Sequence, residues 1–184
     1  SVKKFGTASA EFDGTGDYMY IPYNYPFSTG DFTIECWVYF KTTTTNQGIF
    51  QLDQSPLSGV TYIAPVLFTG GGAYAGRWAT MTKYGGNQSL YANSSYNPST
   101  ETWYHTAVVR NSGTVKVYID GVEVISVSDQ TDYTDRDSLV IGSFFSSSYD
   151  MDGYIDEFRI THKARYTSNF TPPTKEFFDI DINE

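Results

Sequence analysis

The chain has 184 residues, 40% hydrophobic and 17% aromatic, with 12 Lys and Arg against 21 Asp and Glu for a net charge of −9. That is enough apolar material for one sizeable core in one domain, while the acidic balance and the lack of any Lys/Arg patch exclude nucleic acid and other polyanions as partners. No stretch approaches the ~20 apolar residues that cross a bilayer as a helix, so no membrane insertion is expected.

Alternation at period two, punctuated by Gly, Asn, Asp and Pro, runs through the chain and predicts antiparallel strands. The first are "ASAEF", "YMYIP" and "DFTIECWVYF". Cys36, the single cysteine, sits in the third of these among Phe32, Ile34, Val38 and Phe40, which predicts a buried, inert thiol and permits no intrachain disulfide. "QGIFQL", "TYIAPVLF", "GRWATMTKY" and "QSLYANS" follow, then "TWYHTAVVR", "TVKVYID", "VEVISVS", "SLVIGSF" and "GYIDEFRIT". A dozen short strands predict two packed antiparallel sheets or a barrel. His105 and His162 are expected to be structural or surface histidines. In the closing segment "THKARYTSNFTPP", Tyr166 and Phe170 are expected to anchor the chain before Pro172-Pro173. The expected domain is residues 1–175, with 176–184 as an acidic tail.

One hairpin can be read residue by residue. Asp120-Gly121 in "TVKVYIDGVEVIS" predicts a two-residue type I′ turn, because this pair tolerates positive φ at both positions. Ile119 then faces Val122 and Val117 faces Val124, with Tyr118 facing Glu123 and Lys116 facing Ile125 on the other side. "TWYHTAVVR" joins the same meander as a third strand.

The acidic run "SYDMDGYIDEFRI" raises the question of catalysis. On a strand, Asp156 and Glu157 point to opposite faces, and Asp152 and Asp156 lie ~13 Å apart, outside the ~5 to ~9.5 Å used by glycosidase carboxylates. Asp150 and Asp152 lie in a polar loop with no apolar wall to raise one pKa. "DMDG" opens like a calcium loop, but Tyr154 and Ile155 stand where a further ligand and a glycine belong. The acids of "DQTDYTDRD" fit either a metal or a solvated loop.

In order along the chain, "ASAEFDGTGDYMYIP", "FSTGDFTIECWVYF", "TWYHTAVVRNSGTVKVYIDGVEV", "SLVIGSF" and "GYIDEFRITHKARYTSNFTPP" resemble the laminin G-like domains of the concanavalin A-like lectin/glucanase superfamily. The ending "ARYTSNFTPP" is most similar to copies in bacteriophage structural proteins. The resemblance implies an all-β, two-sheet antiparallel β-sandwich with jelly-roll topology, serving as a binding module rather than an enzyme. The Glu-x-Asp-x-Glu series of the laminarinase-like members does not occur here. The resemblance also implies that calcium can staple the first and last strands, with Asp13, Asp17 and Asp156 as ligands. The alternative for the same residues is that Asp13 turns the chain and Asp156 caps a loop by hydrogen bonds.

Sixteen Tyr and three Trp exceed the needs of one core, and surplus aromatic area points to binding. Trp37 and Trp103 are expected to pack. Trp78, Thr80, Thr82 and Tyr84 share one strand face, which reads either as a sugar platform or as a face lying against the second sheet. The expected ligand is a glycan or cell-surface polysaccharide stacked on Tyr74, Trp78, Tyr84 or Tyr149, with Phe144, Phe145 and Tyr149 as a second rim. The rival roles are an assembly module with a protein partner in a virion or a larger chain, and a glycosidase. The expected location is extracellular or on a virion surface.

Overall fold

The computed structural model describes residues 2–22, 27–53, 63–68, 77–84, 87–93, 96–134, 138–144 and 149–177. Among them run thirteen strands: β1 (Ala10–Asp13), β2 (Met19–Pro22), β3 (Phe32–Phe40), β4 (Gln47–Gly48), β5 (Phe50–Asp53), β6 (Ile63–Phe68), β7 (Arg77–Tyr84), β8 (Asn87–Asn93), β9 (Trp103–Asn111), β10 (Thr114–Ile119), β11 (Val122–Ser128), β12 (Ser138–Ile141) and β13 (Asp152–Thr161). They form two antiparallel sheets, ordered β1-β13-β3-β9-β10-β11 and β2-β12-β5-β6-β7-β8, with β4 beside β6. Each segment expected to be a strand contains one among its described residues, and "QGIFQL" divides at Ile49 into β4 and β5.

Strand β3 shows why the sheets pack. Phe32, Ile34, Cys36, Val38 and Phe40 alternate onto one face and are fully buried in a single cluster with Phe50, Leu52, Trp78, Leu139 and Ile141 of the opposite sheet. Burial pushes the Cys36 thiol far above the ordinary thiol range, as does the Glu35 charge beside it. The thiol is inert.

Thr33, Glu35 and Trp37, on the outer face of β3, are buried too, because the segment around Lys4 and Phe5 and the closing segment lie across that face. Phe5 meets Trp37 edge-on at 5.8 Å and Lys4 Nζ stands 3.8 Å above the Trp37 ring. Farther along, Ala164, Tyr166 and Phe170 pack on Ala107, Val109 and Tyr118, and the Tyr166 and Phe170 rings stack at 3.5 Å. The closing segment anchors through the two aromatics that its sequence singles out.

A buried carboxylate holds this cover in place. Glu35 is fully buried and accepts from His105 Nε2 at 3.0 Å, Tyr166 Oη at 2.9 Å, and Arg159 Nε and Nη2 at 3.0 and 2.8 Å. Arg159 reaches it only because of a bulge in β13. Asp156 faces Trp37, but Arg159 faces Glu35, so two residues stand against Cys36, with Glu157 at φ 52°. The extra residue reverses the strand's parity. Ile155, Phe158 and Ile160 thus turn to the core while Arg159 turns outward. Strict alternation, assumed from the sequence, fails at this point.

Burial alone would raise the Glu35 pKa, but the His105 hydrogen bond and the Arg159 charge outweigh it and hold the carboxyl below its ordinary value of 4.5. A folded-state pKa below the unfolded one contributes stability above the ordinary range that is lost as pH falls through the depressed value. Stability should therefore drop as pH falls below 4.5, and less steeply in Glu35→Gln. Glu35→Ala, which strands Arg159 and His105, should cost ~3 to 5 kcal/mol at neutral pH. Urea unfolding across pH measures both, and equal acid sensitivity of wild type and Glu35→Gln would remove Glu35 from the account.

The β10–β11 turn has Asp120 at φ 48° and Gly121 at φ 77°, the two positive angles of a type I′ turn. Ile119 faces Val122 and Tyr118 faces Glu123 as expected. Beyond them the register shifts: Val117 faces Ile125 rather than Val124, and Lys116 faces Ser126 rather than Ile125. The shift turns Ile125 into the core and leaves Lys116 2.7 Å from Glu123. β9 completes the meander. Gly121 also receives the closing segment: Phe170 N donates to Gly121 O at 2.9 Å, and a Cβ on Gly121 would lie 1.9 Å from Phe170 O. Gly121→Val should cost well over ~1 kcal/mol, through positive φ and through displacement of this segment. An unchanged melting temperature would contradict it.

Candidate functional site

The outer face of the six-stranded sheet carries one row that the N-terminal and closing segments leave partly open. Tyr154 of β13 is paired with Tyr39 of β3, and Tyr39 with Trp103 of β9. All three are half-buried. Tyr39 lies 5.5 Å from Trp103 at 56° and 5.7 Å from Tyr154 at 73°, so inclined rings cross three strands at right angles to the chain direction. Parity places them there: Tyr39 follows Thr33, Glu35 and Trp37 on the outer face, and Trp103 begins the face that carries His105, Ala107 and Val109.

Polar groups close one end of the row. Glu11 of β1 is paired with Tyr154, and its Oε1 accepts from Tyr154 Oη at 2.9 Å and from Lys41 Nζ at 2.7 Å. Lys41 also stands 3.8 Å from Asp152 and 4.8 Å above the Tyr154 ring. The Lys41 hydrogen bond, then that of Tyr154, lowers the Glu11 pKa, and the Glu11 hydrogen bond raises those of Lys41 and Tyr154. Both ends of the ion pair stay charged over a wide pH range. The Glu11 side chain is 59% exposed, which leaves acceptor oxygen open to a ligand.

Of the residues expected from the sequence to bind, Trp78 is 1% exposed and meets Phe40 at 5.4 Å and Tyr104 at 6.2 Å. It and fully buried Thr80 face the other sheet. The platform reading of that strand face is corrected: Trp78 is a core residue because its side of β7 closes the sandwich. Tyr84 ends β7, and the platform assignment of its side chain, like that of Tyr74 and Phe145, falls outside what is described. Tyr149 is half-buried and stacks on buried Phe144 at 5.8 Å, so Phe144 is no rim. Trp78→Ala should cost ~3 to 5 kcal/mol through the cavity it leaves. A variant melting within a few degrees of wild type would contradict core placement.

The three acids of the calcium staple are not brought together. Asp13 stands opposite Asp152, while Asp156 lies four residues farther along β13. Asp156 Oδ2 accepts from the amides of Lys4 and Phe5 at 2.8 and 3.1 Å. Asp13 Oδ1 accepts from Thr15 N at 2.8 Å, and Asp17 Oδ2 from Asp13 N at 3.3 Å. These are the turn and cap bonds of the alternative reading, and the three residues do not fit a shared calcium. Among the described residues, no group of three or more His, Cys, Asp or Glu is arranged to hold a metal ion. In the other acidic loop, Asp129 is buried, 3.4 Å from Arg110 and bonded by Tyr133 Oη at 2.9 Å; it ties that loop to β9.

A laminin G family model, described as the concanavalin A-like lectin/glucanases superfamily, matches residues 13–168. The chain belongs to this superfamily. Domain 4 of AbnA, an extracellular arabinanase from Geobacillus stearothermophilus solved with arabinotriose, is similar at 24% identity and a TM-score of 0.67, over 85% of this chain and 71% of that one. The CBM40 of a Ruminococcus gnavus sialidase bound to α2,3-sialyllactose is similar at 10% identity and a TM-score of 0.65, over 88% and 92% of the two chains. Laminin α1 domains LG4-5 from mouse give 15% identity and a TM-score of 0.62, over 90% of this chain and 47% of that one. None of the curated proteins compared matches the chain. These likenesses establish the laminin G-like sandwich.

Sequence reading missed the row by assigning Trp103 to packing. The signal was present: once Phe32 to Phe40 define the core parity of β3, Tyr39 must point outward. Its partners require the pairing of β3 with β9 and β13, which no local pattern states.

Proposed function

We propose that the chain is a non-catalytic glycan-binding module and that Trp103, Tyr39 and Tyr154 are its platform. The carrying observation is the row itself: three half-buried aromatic rings on adjacent strands, beside an exposed carboxylate and an ammonium. Sugar rings present CH faces that stack on aromatic rings and hydroxyls that exchange hydrogen bonds with groups such as Glu11 and Lys41. Relatives of this fold solved with arabinotriose and sialyllactose support the reading. Of the carboxylates that raise the question of catalysis, Asp156 accepts from the amides of Lys4 and Phe5, Glu157 from that of Phe177 and Asp150 from that of Gly16, while Asp152 stands 3.8 Å from Lys41. Such a module would work outside the cell or on a virion, holding a larger protein to a polysaccharide.

Trp103→Ala and Tyr39→Ala should each cost about 1 kcal/mol of stability, yet weaken binding of array-selected glycans by roughly thirtyfold, the loss expected for a stacking hot spot. Wild-type affinity in both variants would overturn the assignment.

A second role, as an assembly module, has its own support. Tyr18, Met19, Tyr20 and Ile21, in and beside the edge strand β2, are 39–45% exposed, an unusual density for a free edge. Self-association that Met19→Lys abolishes, with no glycan retained, would favour it over the platform.

A further inference from the structure

Resting on the platform reading, we infer that the row selects neutral glycans and rejects uronate, sialylated and sulfated ones. Two adjacent rows of the outer face decide this. One holds Glu11 beside Tyr154, and the next holds Asp13 opposite Asp152 with Lys41 beyond. Two carboxylates, Glu11 and Asp152, therefore share one ammonium at this end of the rings, with Asp13 paired opposite Asp152.

That ammonium is already engaged, 2.7 Å from Glu11 and 3.8 Å from Asp152. An incoming anion would have to displace Glu11 from Lys41, stranding one carboxylate beside two others. Lys4 is a second cation near the row among the described residues, and its Nζ lies over the Trp37 ring, 3.8 Å from the centroid. The chain as a whole carries a net charge of −9, which slows the approach of any anion. A neutral glycan meets none of these costs: its hydroxyls can donate to Glu11 while Lys41 stays paired, and its CH faces lie on the rings.

The test is calorimetry on the full chain with array-selected neutral oligosaccharides and their uronate, sialylated or sulfated counterparts, at low and high salt. Neutral ligands should bind at least roughly tenfold more tightly at low salt, and the gap should narrow as salt screens the carboxylates. Glu11→Gln removes one anion and releases Lys41, so the neutral-to-acidic affinity ratio should fall by about tenfold, whatever the variant does to neutral binding alone. Acidic glycans binding as tightly as neutral ones, or an unmoved ratio in Glu11→Gln, overturns this inference and leaves the platform standing. Absence of binding by either class overturns both.

Discussion

The structure depends on the burial of one carboxylate. Glu35 sits on the face of β3 that a two-sheet sandwich would ordinarily leave to water, and a charge there is tolerable only when every oxygen is partnered. Partners arrive from three elements: His105 from β9, Arg159 from β13 and Tyr166 from the closing segment. The bulge at Glu157 sets Arg159 opposite Glu35. Without it, strict parity would send Arg159 to the core and Phe158 to the surface.

From this arrangement follows the division of the outer face. The N-terminal segment covers Trp37, and the closing segment covers Tyr118, Ala107 and Val109. Cover stops one row short, at Tyr154, Tyr39 and Trp103. The same residues that would be surface aromatics on a bare sheet become a bounded shelf, with a closed wall along one side and the Glu11–Lys41 pair at one end. Rings fixed by cross-strand pairing on a rigid sheet lose little freedom when a ligand docks, which favours affinity from a small contact area.

Local chemistry made much of this legible in the sequence. Period-two alternation located the strands, Asp120-Gly121 announced its turn, and Tyr166 and Phe170 were recognisable as anchors. What stayed hidden depends on partners distant in sequence. Trp78 lay in a mixed aromatic and hydroxyl face that suits a sugar or a core equally, and only the facing Phe40 and Tyr104 decide for the core. Asp13, Asp17 and Asp156 looked convergent until the register of β1 against β13 separated them. The bulges at Glu157 and Val124 were equally invisible, since neither residue is a glycine or bears another mark of irregular backbone.

The three tryptophans allow the central claim to be tested in one experiment. Each indole N–H gives its own signal in a nitrogen-labelled NMR spectrum, and the three side chains occupy different places: Trp78 in the core, Trp37 beneath Lys4 and Phe5, and Trp103 on the open row. Titration with a glycan that the chain retains should shift the Trp103 indole together with the Tyr39 and Tyr154 ring signals, and leave Trp78 in place. A glycan that binds while Trp103, Tyr39 and Tyr154 stay unmoved would contradict the account.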